Sequence, residues 1–297
     1  MIDLLCIDIG SNTVKCSLSR RKKSKITEIF SITKDLRIFN SVNSWNEISA
    51  KISYAIDDFI LQAKELSESF SIRAVATSAL RESQFKDLII ADVTKKTSVD
   101  IEILTGEQEA EFSFKGAMQD AFLKKQKNTI FIDLGGGSLE IVFAKEMSVI
   151  NSFSLPLGAV RMMNKFIQEP KEKVPYDIIE KIIAECSDSI SKIKLPFDEF
   201  LCVGAGGSVS AARHMLYGKF TKQNNLVRLD DLDNLLKKIS DMTLEERCLN
   251  FKIKEARADI ILPAFACLIA LLRCFGVKKL FHTTSALRAG LIADSLL

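Results

Sequence analysis

The sequence predicts an α/β protein built from two similar halves, on three observations. The first is a phrase that occurs twice: residues 4–18 read LLCIDIGSNTVKCSL and residues 129–143 read TIFIDLGGGSLEIVF. In both, an apolar run of strand length ends in Asp-x-Gly, passes through small polar residues and returns as a second strand-like run. Asp8 and Asp133 lie 125 residues apart, so the repeat is domain-sized and not a solenoid period. The second observation is that strand-like and helix-like segments alternate along the chain. The third is the placement of glycine. Seven of the 13 glycines fall in three loops that each follow an apolar strand: Gly10; Gly135, Gly136 and Gly137; Gly204, Gly206 and Gly207. Glycine in such places lets a backbone approach a ligand closely. Two copies of strand, tight turn and returning strand imply two half-molecules facing each other, each exposing the consecutive N–H groups that bind phosphate.

The elements follow in order. The first hairpin turns at Arg20–Lys23, a solvated basic corner, and strand character resumes near 26–32. Ile48, Ile52, Ile56, Phe59, Ala63 and Leu66 fall at helical spacing behind Ser44, a candidate N-cap. A short strand at 72–76 leads into a loop, 77–81, and a further strand covers 101–104. Gly106 opens a helix whose first turns carry Glu107, Glu109 and Glu111, acids suited to a helix N-terminus. The lysine-rich segment 124–128 is the expected linker. The second half begins with the repeated hairpin and a third strand at 149–154, with helices at 160–167 and 176–193. A strand at 200–203 enters the loop 204–208, and a helix with Ala211, Ala212 and Met215 follows. The apolar segment 260–272 is a buried helix, 279–282 a strand and 286–297 a helix.

Composition bounds the function. The chain of 297 residues is long enough for two domains. A net charge of +3 suits a polyanionic ligand but is too small to argue nucleic-acid binding. None of the seven cysteines forms a C-x-x-C pair, which points to a reduced, cytoplasmic protein. Two histidines exclude a multi-histidine metal site. The N-terminus has no basic region before its apolar run and is not a signal peptide. The 13 residues of 260–272 are too few to span a bilayer.

The candidate site residues come from the loops. Asp8 and Asp133 can cap their turns locally, but matched in two loops they suggest a clamp for phosphates and a divalent cation. Mg²⁺ is the expected ion, since it takes one or two carboxylates plus phosphate oxygens and water. The loops do not have P-loop spacing, so the phosphate cradle is of another kind. Glu140 follows Asp133 by seven residues, either as a solvated strand residue or as a carboxylate near the metal or the attacking water. One of Glu107, Glu109 and Glu111 could position a water for attack on phosphorus, and spacing does not choose among them. Arg81 and Arg161 are candidates for bidentate phosphate contacts.

Together these segments resemble the exopolyphosphatase/guanosine pentaphosphate phosphohydrolase family, within the superfamily of sugar kinases, actin and Hsp70 chaperones. The matching stretches are IDIGSNTVK (7–15), ATSALRES (76–83), IEILTGEQEAEF (101–112), FIDLGGGSLEIVF (131–143), SLPLGAVRM (154–162), VGAGGSVSA (203–211) and RADIILPAFACLIAL (257–271). The resemblance implies two actin-like (ribonuclease H-like) domains, 1–124 plus 285–297 and 125–284, with the active site in the cleft between them. It implies Glu109 as catalytic base, with Arg81 and Glu140 as catalytic partners, and Asp133 and Asp8 as metal ligands. Gly10, Ser11, Asn12, Thr13, Gly135, Gly136, Gly137, Ser138, Gly204, Gly206, Gly207 and Ser208 would hold phosphates. The activity implied is Mg²⁺-dependent release of terminal phosphate from inorganic polyphosphate, with Mn²⁺ as the alternative ion and K⁺ as a candidate stimulant. Hydrolysis of guanosine pentaphosphate is the alternative, followed by a small-molecule kinase and a non-enzymatic sensor. Homodimerisation is open; neither a specific nucleic acid nor a membrane is an expected partner. The chain departs from the family pattern at Gln108, often a second Glu, at Ala286, usually Gly, and at Ala264, usually Gly.

Overall fold

The computed structural model describes residues 2–23, 25–38, 44–218, 221 and 225–296. It comprises two compact units, Met1–Gly116 with Ser285–Leu297, and Ala117–Thr284. The division precedes the lysine-rich segment that the sequence suggested as linker. The reason is packing: Leu123 is fully buried, and Phe122 stacks on Phe281 with ring centroids 5.1 Å apart, both within the second unit.

The first unit opens with an antiparallel meander of β1 (Ile2–Ile9), β2 (Thr13–Lys22) and β3 (Lys25–Asp35). Helix α1 (Trp45–Leu66) starts at the expected Ser44 in a capping box: Glu47 N–H donates to the Ser44 hydroxyl, and Ser44 N–H donates to the Glu47 carboxylate. The chain then adds β4 (Ser71–Ala76) parallel to β1, a short α2 (Ser78–Arg81), α3 (Lys86–Thr97) and β5 (Ile101–Ile103) parallel to β4. The strand order is β3-β2-β1-β4-β5.

Alternation along β1 sends its side chains to two cores. Leu5, Ile7 and Ile9 join Ile52, Ile56 and Phe59 of α1. Leu4 and Cys6 join Leu287, Leu291 and Ile292 of α12 (Leu287–Leu296), the helix that returns to this unit. Helix α4 (Gly106–Ala117) crosses α12 at two glycines. A Cβ on Gly290 would overlap the Phe112 carbonyl, and one on Gly116 would overlap the Ala286 carbonyl. Both obstacles are backbone. Gly290→Ala is therefore expected to destabilise the protein by about 3 kcal/mol despite alanine's gain of roughly 1 kcal/mol in helix propensity. A melting midpoint at or above wild type would show that the two helices can separate without cost.

The second unit repeats the plan. Strands β6 (Asn128–Leu134), β7 (Leu139–Lys145) and β8 (Ser148–Leu155) form an antiparallel meander, followed by α5 (Ala159–Phe166) and α6 (Tyr176–Ile190). Next come β9 (Leu201–Ala205), parallel to β6, then α7 (Gly206–Tyr217) and β10 (Leu226–Arg228). Helices α8 (Leu229–Ser240), α9 (Leu244–Phe251), α10 (Glu255–Ala258) and α11 (Ile261–Cys274) precede β11 (Lys279–His282). The sheet order is β10-β11-β9-β6-β7-β8. Read from the β8 edge, its first five strands reproduce the order of the first sheet, and β10 is an addition. The buried segment expected at 260–272 is α11, in which every residue from Ile261 to Leu272 is buried. Among the described residues no helix is long and apolar enough to cross a membrane.

Candidate active site

The duplicated phrase forms duplicated turns. Gly10 N–H donates to the Thr13 carbonyl and Gly135 N–H to the Ser138 carbonyl, each at 3.0 Å. In each unit a four-residue turn thus joins two antiparallel strands just past an aspartate. The residue opposite that aspartate differs. Asp8 is in register with Lys15, whereas Asp133 is in register with Glu140. Directly opposed residues of an antiparallel pair share a face, with Cβ atoms about 5 Å apart. The first turn is therefore flanked by an aspartate and a lysine, and the second by an aspartate and a glutamate.

In the first unit, Leu36 and Arg37 N–H groups both donate to the Asn12 carbonyl at 3.0 Å, and Thr77 N–H donates to the Ile9 carbonyl. A peptide's C=O and N–H point in opposite directions, so fixing the Asn12 carbonyl also aims the Thr13 N–H. Ser11 and Asn12 are buried, as is Asp8. Segment 77–81, expected to be a loop, forms one helical turn, α2, closed by Arg81 N–H donating to the Thr77 carbonyl at 3.0 Å, and this places Arg81. Its Nη1 donates to the Glu109 Oε2 and to the Leu104 carbonyl, both at 2.9 Å.

That ion pair distinguishes the three glutamates of α4. Glu107 and Glu111 are exposed, while Glu109 has a side chain only 12% exposed against Arg81. Gln108, the departure from the family pattern, has its own task. Thr105 N–H donates to the Gln108 side-chain carbonyl, and Gln108 N–H donates to the Thr105 hydroxyl, a reciprocal cap at the start of α4.

The second turn is held from behind by α5. Gly158 and Ala159 N–H groups donate to the Gly137 and Gly135 carbonyls, and Val160 and Arg161 N–H groups both donate to the Gly136 carbonyl. The Arg161 Nε adds a bond to the Gly137 carbonyl at 2.9 Å. With three successive carbonyls turned toward α5, the N–H groups of Gly136, Gly137 and Ser138 point the other way. Successive N–H groups aimed outward form an anion-binding nest. Arg161, a candidate for phosphate contacts, thus braces the loop by bonding to the loop's backbone. Gly158, which the sequence reading did not single out, is required for the contact: a Cβ there would overlap the backbone of Gly136 and Gly137.

The third glycine loop, expected at 204–208, is the end of β9 and the first turn of α7. Gly204 lies within the strand, where a Cβ would meet the Leu280 side chain at 2.9 Å. The Ser208 hydroxyl donates to the Leu134 carbonyl at 3.0 Å and is buried, so it ties α7 to β6. These two are packing residues. Gly206 and Gly207 differ. Gly206 has φ +85°, and a Cβ on it would overlap Asp133 Oδ1; a Cβ on Gly207 would overlap the Arg257 guanidinium. The helix start is thus bordered by Asp133 on one side and Arg257 on the other. Arg257 was not identified from sequence, because nothing in the spacing of R-A-D connects it to a loop some 50 residues earlier.

For a cation the second unit offers Asp133 and Glu140, hard oxygen donors in register on one face. The Ser154 hydroxyl, from the next strand, donates to Glu140 Oε1 at 2.9 Å and steadies it. Among the described residues no three His, Cys, Asp or Glu side chains cluster as a complete metal cage. Two carboxylates beside an anion nest fit an ion such as Mg²⁺, which shares its coordination with phosphate oxygens and water. Asp8 fits a cation less well, since Lys15 already stands opposite it.

The chain resembles known proteins throughout its length. It is 24% identical over 98% of its residues to the guanosine-5'-triphosphate,3'-diphosphate pyrophosphatase of Pseudoalteromonas atlantica, and 20% identical over 98% to that of Photobacterium profundum. It spans 58% of the length of each of these curated relatives. Among solved structures, an exopolyphosphatase from Cytophaga hutchinsonii superposes with a TM-score of 0.88 at 19% identity, covering 99% of this chain and 97% of that one. The Ppx/GppA family member of Aquifex aeolicus superposes with a TM-score of 0.80 at 22% identity, covering 99% and 97%. The Ppx/GppA phosphatase family model matches residues 17–297, nearly the whole chain, and the chain belongs to that family.

Proposed function

We propose that the protein is a Mg²⁺-dependent phosphoanhydride hydrolase that releases terminal orthophosphate from inorganic polyphosphate. The observation that carries this reading is the second turn, whose three glycine carbonyls are fixed on α5 so that its N–H groups point away from α5 as an anion nest. In the second unit the N–H groups of residues 136–138 and the Arg257 guanidinium beside Gly207 would bind phosphate, and in the first unit the turn at 10–13 would do the same. Asp133 and Glu140 would hold Mg²⁺, which when bound offsets charge on the phosphoryl oxygens. Glu109, oriented by Arg81, accepts a hydrogen bond from the attacking water and sets its direction. Phosphoryl transfer depends mainly on positioning and charge, so a carboxylate already paired with a guanidinium suffices. Lys15 adds a positive charge beside the first turn.

Hydrolysis of guanosine pentaphosphate is the second reading. It is favoured by the names of the two curated relatives, and the same residues would serve. Phosphate release with Mg²⁺ from short polyphosphate, long polyphosphate and guanosine pentaphosphate separates the readings. The expected result is the highest kcat/KM on polyphosphate. Release from the pentaphosphate alone would select the second reading, and release from none of the three would reject both.

A further inference from the structure

Among the described residues the largest fully buried side chain is an arginine, Arg247 on α9, at 0% exposure. A buried guanidinium is costly unless its N–H groups are satisfied. Arg247 meets this need with backbone carbonyls from three segments. Its Nη1 donates to the Ala258 carbonyl at 2.7 Å, its Nη2 to those of Glu172 at 3.0 Å and Pro170 at 3.4 Å, and its Nε to Met242 at 3.2 Å. The shortest of these bonds is the informative one. Ala258 ends α10, a helix of four residues whose last carbonyls have no partner within so short an element. Arg247 supplies that partner, capping α10 from its C-terminal end as cationic side chains do. The residue immediately before Ala258 is Arg257, whose guanidinium lies against Gly207 at the start of α7.

We infer that Arg247 is a positioning residue for catalysis: by fixing the end of α10 it holds the Arg257 guanidinium beside the start of α7, where Arg257 is proposed to bind phosphate. The inference rests on the phosphohydrolase reading only in using phosphate as the bound group. Arg247 does not touch substrate, so its effect must pass through Arg257. Lysine at 247 keeps the charge and one or two of the four bonds, but cannot span three segments as the planar fork does.

The test is a double-mutant cycle on the full chain, R247K against R257A, reading kcat/KM for phosphate release from inorganic tripolyphosphate well below each variant's melting midpoint. The expected result is that R247K alone lowers kcat/KM roughly tenfold, and by less than about twofold in the R257A background. Losses that multiply would show that Arg247 acts on stability or elsewhere and would overturn the inference, leaving the hydrolase reading intact. R247Q, which retains N–H donors without burying a charge, is the second variant. Failure of both R247K and R247Q to fold would assign Arg247 to stability alone and also overturn the inference. Should wild type release no phosphate, the hydrolase reading falls, and the cycle is read on tripolyphosphate affinity by calorimetry. Coupled losses of affinity would still support the inference, and absence of binding to wild type would reject it.

Discussion

Glu109→Gln is expected to lower kcat for phosphate release by about 10²- to 10⁴-fold, the usual contribution of a positioned acid–base group. The same substitution should scarcely affect the fold. The Arg81–Glu109 pair is partly exposed, with side chains 21% and 12% accessible, and pairs of that kind contribute only about 1 kcal/mol or less. Glutamine still accepts a hydrogen bond from Arg81 Nη1. It lacks the negative charge that draws a water proton. The diagnostic signature is therefore a large fall in kcat with a melting midpoint shifted by only a few degrees. Glu107→Gln and Glu111→Gln serve as controls, since both residues are exposed on the same helix. Turnover of Glu109→Gln near wild type would remove Glu109 from the mechanism. An equal loss from either control would mean that the charge of the α4 N-terminus, rather than one oriented carboxylate, is what matters.

Gly158→Ala is expected to have the second large effect, and on different grounds. Gly158 sits at φ −71° and ψ 154°, ordinary values that alanine adopts readily. By chain entropy alone the substitution would stabilise the protein by roughly 0.4–1 kcal/mol. The added methyl, however, would occupy the space of the Gly136 and Gly137 backbone. Overpacking of that kind costs about 1–3 kcal/mol or more, and backbone cannot rotate away as a side chain can. The clash should win, and it should be relieved by moving the loop off α5. The expected outcome is a lower melting midpoint together with loss of phosphate release, because the carbonyls that orient the 136–138 N–H groups lose their donors. A variant with wild-type stability and turnover would show that the loop does not depend on its seat.

Much of this was legible in the sequence, for reasons that differ between elements. The two hairpins were readable because an apolar strand ending in Asp-x-Gly imposes both a period and a stop. Helix α1 was readable because its apolar spacing begins behind Ser44 and Glu47, which form the capping box. Helix α3 was not. Among its residues only Ile89 and Val93 are buried, one pair four residues apart, and it starts at Phe85 without a side-chain cap. The glycines at 204–208 were read as one loop, yet Gly204 serves strand packing and Gly206 and Gly207 serve a helix start. A glycine's reason lies in its neighbour, and that neighbour is distant in sequence: Leu280, Asp133 and Arg257, respectively. The same holds for Glu109. Spacing offered three glutamates, and what separates them is Arg81, brought near by a strand pairing that spacing does not show.

The return of α12 to the first unit has a consequence for biogenesis. On a ribosome the chain emerges from its N-terminus, and domains fold as they become complete. Here the later unit completes first. Its sheet and helices lie within Ala117–Thr284, whereas the earlier unit waits for Ser285–Leu297. Until then Leu4, Cys6, Val75 and Leu104 lack Leu287, Leu291 and Ile292, which finish their core. The nascent first unit therefore carries an uncovered apolar sheet face until α12 has been made. Closure of that core is therefore coupled to the docking of a single helix.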